Sequence, residues 1–187
     1  MNALAQQKMT VDEFLAWAEG RDGRWELLNG VPVAMSPERV AHVETKFAAA
    51  SAIAASIKKA GIPCRMLLDG VAIRLDGRSA YQPDIMVYCG QRLPPNAMEA
   101  PNPVVVVEVL SPSTRAVDLG LKVRRYFELP SIQHYLILGP DDRSVIHHAR
   151  GEGDLLLTRI VSEGELRLDP PGFRVDARAL FPEPYEA

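Results

Sequence analysis

Residues 103–110 read Pro103-Val104-Val105-Val106-Val107-Glu108-Val109-Leu110, and this stretch decides the fold. Four consecutive valines without polar alternation mark a strand covered on both faces, as in the middle of an α/β sheet. Glu108 interrupts the run. A carboxylate in that setting is costly to bury unless a cation or hydrogen-bond donors compensate it, so a positive group is expected beside it. The alternative is a strand-end glutamate in a salt bridge or open to water.

Working outward, Asp84 stands at the entry of a second strand, PDIMVY (83–88). Alone, an aspartate after proline is a common strand-entry residue. Two carboxylates converging at adjacent strand ends are another matter, because Mg²⁺ takes oxygen ligands and fills its remaining positions with water. Downstream, Ser113 or Thr114 caps a helix predicted to reach Glu128, where Pro130 stops it. A 100° step places Ala116, Leu119, Val123, Tyr126 and Phe127 on one apolar face of that helix, with Asp118 and Lys122 along its flank. Lys122 adjoins Tyr126, so its long stem can cross apolar surface and deliver an ammonium group to the sheet edge. The competing reading is an exposed Asp118–Lys122 helix pair worth about 0.3–0.5 kcal/mol.

Thr10 and Glu13 form a capping box ahead of Val11, Phe14, Leu15 and Ala18 at helical spacing. Asn29-Gly30 supplies a hairpin turn between strands near 24–28 and 31–35. From Glu38 to Ala60, the residues Val40, Val43, Phe47, Ala50, Ile53, Ala54 and Ile57 follow steps of three and four, which predicts the longest helix and its apolar face, with Gly61 as C-cap. Strands are expected at 62–68, 71–75, 84–88 and 103–110. HYLILG (134–139), SVIHHA (144–149) and DLLLTRI (154–160) then read as a meander, and Asp176 caps a short helix through Leu180. His147 and His148 fall on opposite faces of their strand and are read as structural.

The 187 residues, 47% of them hydrophobic, fit a single domain spanning 1–187. A net charge of −3 gives no general electrostatic grip on nucleic acid, so any such contact needs a local basic patch. Cys64 and Cys89 lie outside any CxxC pair, and two reduced thiols are expected. No segment approaches about 18 apolar residues and the start lacks a signal-peptide pattern, so the expected place is the cytoplasm, away from membranes. Gly151-Glu152-Gly153 is a turn and not a phosphate loop, and no GxSxG element supports a serine hydrolase.

YQPDIMVY (81–88), PNPVVVVEVLSPSTRAVDLGLKVRRYFELPSIQHYLILGP (101–140), RWELLNG (24–30) and the His42-bearing helix together resemble the Uma-type family of restriction-endonuclease-like proteins, from about Met9 to about Phe181. The resemblance implies a PD-(D/E)XK nuclease fold of the α/β (α+β) class: a mixed central sheet flanked by helices, with a divalent metal at the sheet edge. It also implies a metal-dependent endonuclease that hydrolyses phosphodiester bonds, with DNA as substrate and Mg²⁺ or Mn²⁺ as cofactor. Asp84 matches the aspartate of the PD element and Glu108 the acidic residue of the (D/E)XK element; the main-chain carbonyl of Val109 is the third expected metal ligand.

Leu110 stands where that pattern has its lysine. Either catalysis is lost, or the ammonium has moved to Lys122, which matches the family's helical lysine; the helix geometry favours the move. Glu26 matches the acidic residue of the first hairpin, as an extra metal or water ligand or as a salt-bridged strand residue. His42 matches a recurrent histidine that touches phosphate, orders the site or serves structurally. Asp118 is a further accessory residue. Arg115, Arg124 and Arg125 are the expected contacts to the DNA backbone, and a twofold homodimer would let two sites address two strands. Two rival readings stand beside this one. The first is a non-catalytic nucleic-acid-binding or protein-interaction module on the same fold, favoured by Leu110 and the mildly acidic composition. The second is a metal-dependent hydrolase of some other substrate. If Asp84 and Glu108 repel each other unscreened, Glu108→Gln is expected to raise thermal stability without metal.

Overall fold

The computed structural model describes residues 8–111 and 117–184, with only the backbone of Val117 and Asp118. Its first helix, α1 (Val11–Ala18), opens on the expected reciprocal cap: Thr10 Oγ1 accepts from the Glu13 amide, and the Glu13 carboxylate accepts from the Thr10 amide. β1 (Trp25–Leu28) and β2 (Val31–Ala34) form a hairpin whose turn residues, Asn29 and Gly30, both have positive φ, 50° and 84°. The long helix α2 (Val40–Ala60) ends on Gly61 in the left-handed region at φ 65°.

Next come β3 (Cys64–Leu68), β4 (Ile73–Asp76), β5 (Ser79–Tyr81), β6 (Ile85–Cys89) and β7 (Pro103–Val109). A π-helical turn, Val117–Leu121, leads directly into α3 (Lys122–Phe127). β8 (His134–Gly139), β9 (Ser144–Arg150) and β10 (Leu156–Val161) form the expected meander. β11 (Glu165–Leu168), β12 (Phe173–Asp176) and a 3₁₀ helix at Ala177–Leu180, capped by Asp176, complete the described chain.

The main sheet has six strands in the order β10-β9-β8-β7-β6-β3, and a second sheet has the order β2-β1-β5-β4. Only β7 and β8 run parallel in the main sheet, and α3 lies on the connection between them, so the sheet is mixed. β7 is interior, flanked by β6 and β8, as its valines require. Val105, Val107 and Val109 join the core under α2 with Ala49, Ile53 and Ile57, whereas Val106 joins the core on the other face with Tyr126, Tyr135 and Ile137. Each such valine taken from water contributes roughly 1.5–3 kcal/mol. Alternation therefore places Glu108 on the Val106 side, toward α3, at the end of β7.

Four expectations need correction. The apolar face of α2 is wrong at four positions: Val40, Val43 and Phe47 are 69%, 46% and 71% exposed and Ala54 is exposed as well, while His42, Thr45 and Lys46 are buried. His42 and Lys46 turn inward because the carboxylates of Glu38, Asp69 and Asp84 pair with them, and steps of three and four cannot register that. The helix expected over 115–128 is, in its described part, a π turn followed by six α residues. The wider turn breaks the 100° register, and Leu119 is exposed instead of stacked above Val123. The proposed caps Ser113 and Thr114 lie outside the described residues. β5 and the β11–β12 hairpin were not anticipated; the latter's Leu166, Leu168, Phe173 and Val175 cover the α2 face of the sheet. Finally, Cys64 and Cys89 are not free thiols: they face each other in the β3–β6 register and form a disulfide. Their separation of 25 residues hid a contact that only strand pairing creates.

Candidate functional site

Asp84 sits just before β6, and Glu108 lies near the end of β7. Since Ile85 pairs with Val107, the next step of the antiparallel register brings these two carboxylates opposite each other. Both are only 4% exposed. Asp84 Oδ2 accepts from the Val109 amide at 2.7 Å, and Oδ1 lies 3.2 Å from His42 Nε2 and 3.8 Å from Lys46 Nζ. Glu108 Oε1 accepts from Lys122 Nζ at 2.8 Å and from the Tyr126 hydroxyl at 2.7 Å. Lys122, 4% exposed, also reaches Glu26 Oε1 at 3.5 Å, and its ammonium stands 5.7 Å from the centre of the Tyr81 ring. The positive group that the buried Glu108 demanded is therefore Lys122, delivered from the first turn of α3.

A second layer surrounds Asp84. Lys46 Nζ donates to Glu38 at 2.5 Å and to Asp69 at 2.8 Å, and Arg24 pairs with both of those carboxylates. Glu38, His42 and Asp84 each offer a ligand atom within 4.8 Å of the others, a grouping able to hold a metal ion. Glu26, Glu38, His42, Asp84, Glu108 and Lys122 all line one cavity of about 360 Å³, along with Val109.

The electrostatics follow from burial and pairing. Burial alone pushes the Asp84 carboxyl upward, but the hydrogen bond and charge of His42, the Val109 amide and Lys46 outweigh it and hold the group below the usual aspartate range. Glu38 is likewise held down: burial opposes ionisation, and Lys46, His42 and Arg24 favour it more strongly. Lys46 is raised, because its carboxylate partners overcome its desolvation. Burial, and then the charge of Glu108, push the Tyr126 hydroxyl well above 10, so it serves as a neutral donor. Among the described residues, five carboxylates (Glu26, Glu38, Asp69, Asp84 and Glu108) face three permanent cations (Arg24, Lys46 and Lys122), two more negative charges than positive.

Asp84, Glu108, Lys122, Glu26 and His42 thus come together as the sequence reading grouped them. Other expected residues do not join them. Arg125 pairs with Asp76 and Glu128, and Arg124 pairs with Glu128. Arg115 and the side chain of Asp118 lie outside the described residues. Leu110, in place of the expected lysine, packs against the core on the α3 side. The residues that sequence reasoning missed are Glu38, Asp69, Arg24 and the role of Lys46. The one available signal was a lysine and a histidine at i, i+4 on a helix preceded by Glu38.

Compared with known families, residues 11–180 match the family Uma2, described as "Putative restriction endonuclease". The chain is 28% identical over 173 residues to an uncharacterized protein of Synechocystis sp., with 90% of each chain covered. It also superposes, with a TM-score of 0.72 and 18% identity, on the crystal structure of a "putative nuclease belonging to DUF820" from Anabaena variabilis, over 92% of this chain and 97% of that one. At that identity the likeness shows the fold.

Proposed function

The chain belongs to the Uma2 family of putative restriction endonucleases, and from that premise we propose that its cavity hydrolyses phosphodiester bonds with the help of a divalent metal, DNA being the substrate class. The observation that carries the reading is the surplus of two negative charges that the described residues place around Asp84 and Glu108. A surplus of that size, in a cavity lined by oxygen donors and one histidine, suits one Mg²⁺ or Mn²⁺ ion. Asp84 and Glu108 would hold it, with the Val109 carbonyl, and Glu38 and His42 stand ready on the other side of Asp84. Such an ion, when bound, supplies Lewis acidity toward a phosphate oxygen and acidifies a coordinated water.

The chain's own groups do the remainder. Lys122 carries a fixed ammonium beside Glu108, where it orients a nucleophilic water or offsets charge that builds on the phosphate in the transition state. Because Glu108, itself held by the Tyr126 hydroxyl, and Glu26 hold it, no reorganisation is needed at the moment of reaction. His42, bonded to Asp84 through Nε2, fixes the orientation of that carboxylate. Glu26 shares Lys122 and keeps the ammonium from pairing with Glu108 alone. Leu110 favours a module without turnover; the ammonium that Lys122 brings from a different element supports the enzyme reading instead. A twofold homodimer would let two such cavities address two strands.

Titration calorimetry with Mn²⁺ tests the reading. Stoichiometric binding by the wild type that is lost in Asp84→Asn supports it. No heat of binding in the wild type would favour the non-catalytic module.

A further inference from the structure

Beside the proposed catalytic cavity lies a second one of about 330 Å³, within the range of small-ligand sites. The two share Arg39, His42 and Ser111 as a common wall, so they are compartments of one groove. The walls belonging to the second alone are Ala41 from the first turn of α2, Leu110 from the end of β7, and the β8–β9 turn with Gly139, Pro140, Asp141 and Asp142. Ala41, Leu110 and Pro140 give it apolar surfaces. Asp141 and Asp142 give it carboxylate acceptors; Ser144 donates to Oδ1 of Asp142, from its amide at 3.1 Å and its hydroxyl at 2.7 Å. Gly139 keeps the turn in place, because a Cβ there would lie 2.5 Å from Asp142 Oδ1 and 3.0 Å from Ser144 Oγ.

The carboxylates of Asp141 and Asp142 disfavour phosphate on their side of the cavity. The cavity suits a flat, uncharged ring that carries amino donors. The geometry points to this compartment as a nucleobase pocket, which receives an unstacked base with an exocyclic amine from the nucleotide next to the phosphate in the catalytic cavity. The inference rests on the nuclease reading above. Enzymes that act on nucleic acid commonly take a base out of the stack and read its edge in such a pocket, and carboxylates accept from the amine of cytosine. Leu110 then has a reason to be where it is: the position that would carry a lysine is an apolar wall of the base pocket, and the ammonium comes from α3. Arg39, which has no ion pair among the described residues, stands at the junction of the compartments, where the intervening sugar-phosphate would pass.

The test uses a single-stranded oligonucleotide carrying one 2-aminopurine, whose emission is quenched by stacking, in EDTA so that nothing is cut. Among the described residues the pocket is lined by no Phe, Tyr or Trp on which a base could stack, so entry of the base should raise emission severalfold on adding wild-type protein. Ala41→Leu and Ala41→Met fill the pocket from α2, and each should abolish the rise while keeping the wild-type melting temperature and Mn²⁺ response. Asp141→Ala, on an exposed turn, should bring an expected preference for cytosine over thymine of about tenfold down to parity. A wild type without an emission rise, or a rise that survives both filling substitutions, overturns the pocket. If the wild type nevertheless cleaves with Mn²⁺, the pocket fails and the nuclease reading stands.

Discussion

Replacing Lys122 by alanine removes the ammonium 2.8 Å from Glu108 and 3.5 Å from Glu26, and leaves both carboxylates almost out of water. Breaking a buried pair from one side costs about 3–5 kcal/mol, because the remaining charge has lost its compensation. Glu108 can recover part of this by taking up a proton, so the lower end, about 3 kcal/mol, is expected in metal-free buffer at pH 7. For a chain of this size that lowers the melting temperature by roughly 6–12 °C. The local surplus also rises from two negative charges to three, so Mn²⁺ should raise the melting temperature of Lys122→Ala more than that of the wild type. Cleavage should fall on the order of 10²–10³-fold, as for removal of a transition-state donor. Calorimetric melting in EDTA and in Mn²⁺, with Lys122→Met to retain the stem, separates charge from packing. A variant melting within about 2 °C of wild type in EDTA, less than 1 kcal/mol, would refute the reasoning; so would full recovery of stability by Lys122→Met.

Glu108→Gln should lower stability in EDTA by about 2 kcal/mol, not raise it, because Glu108 meets Lys122 and Tyr126 and is not an unscreened neighbour of Asp84; chemical denaturation reads the sign. Buried His134 and His147 contact each other at 2.9 Å, and burial pushes both down to about 4 from 6.5. The stability of this neutral pair is complete above pH 6.5 and is lost as pH falls through about 4, on the order of 3 kcal/mol for each ring, and His147→Gln should flatten that part of the profile. The windows of Asp84 and Glu38, whose values are lowered, lie beneath it, with stability lost only as pH drops below about 4. Alkylation of the unfolded, unreduced chain should find no thiol at Cys64 or Cys89, and reduction should cost roughly 3–4 kcal/mol for a loop of this length; two alkylated thiols would contradict the disulfide.

Local signals were legible where one residue type dictates one backbone geometry. The Thr10–Glu13 cap, the Asn29-Gly30 turn, Gly61 and the valine run of β7 all formed as expected, and each depends on neighbours within a few residues. Glu108 was legible for a different reason: a carboxylate among valines must be compensated, and Lys122 lies within one connection of it. The second layer could not be read in this way. Lys46, Glu38, Asp69 and Arg24 come from a helix, the turn before it and the ends of two strands, and their apposition exists only after the sheet has formed. The same holds for Cys64 and Cys89, which strand pairing brings together. The inward turn of His42 and Lys46 was hidden by Val40, Val43 and Phe47, whose spacing imitated a buried stripe. β11 and β12 were missed because each is four residues long, too short for alternation to stand out from a polar loop.

The measurement that tests the central claim most directly is cleavage of a mixed panel of DNA and RNA strands and duplexes by the wild type and Asp84→Asn, in Mn²⁺ and in EDTA. The account predicts cuts in DNA by the wild type in Mn²⁺, none in EDTA, and a loss of at least about 10²-fold in Asp84→Asn. Cleavage that persists in EDTA, or that Asp84→Asn retains at the wild-type rate, would contradict it.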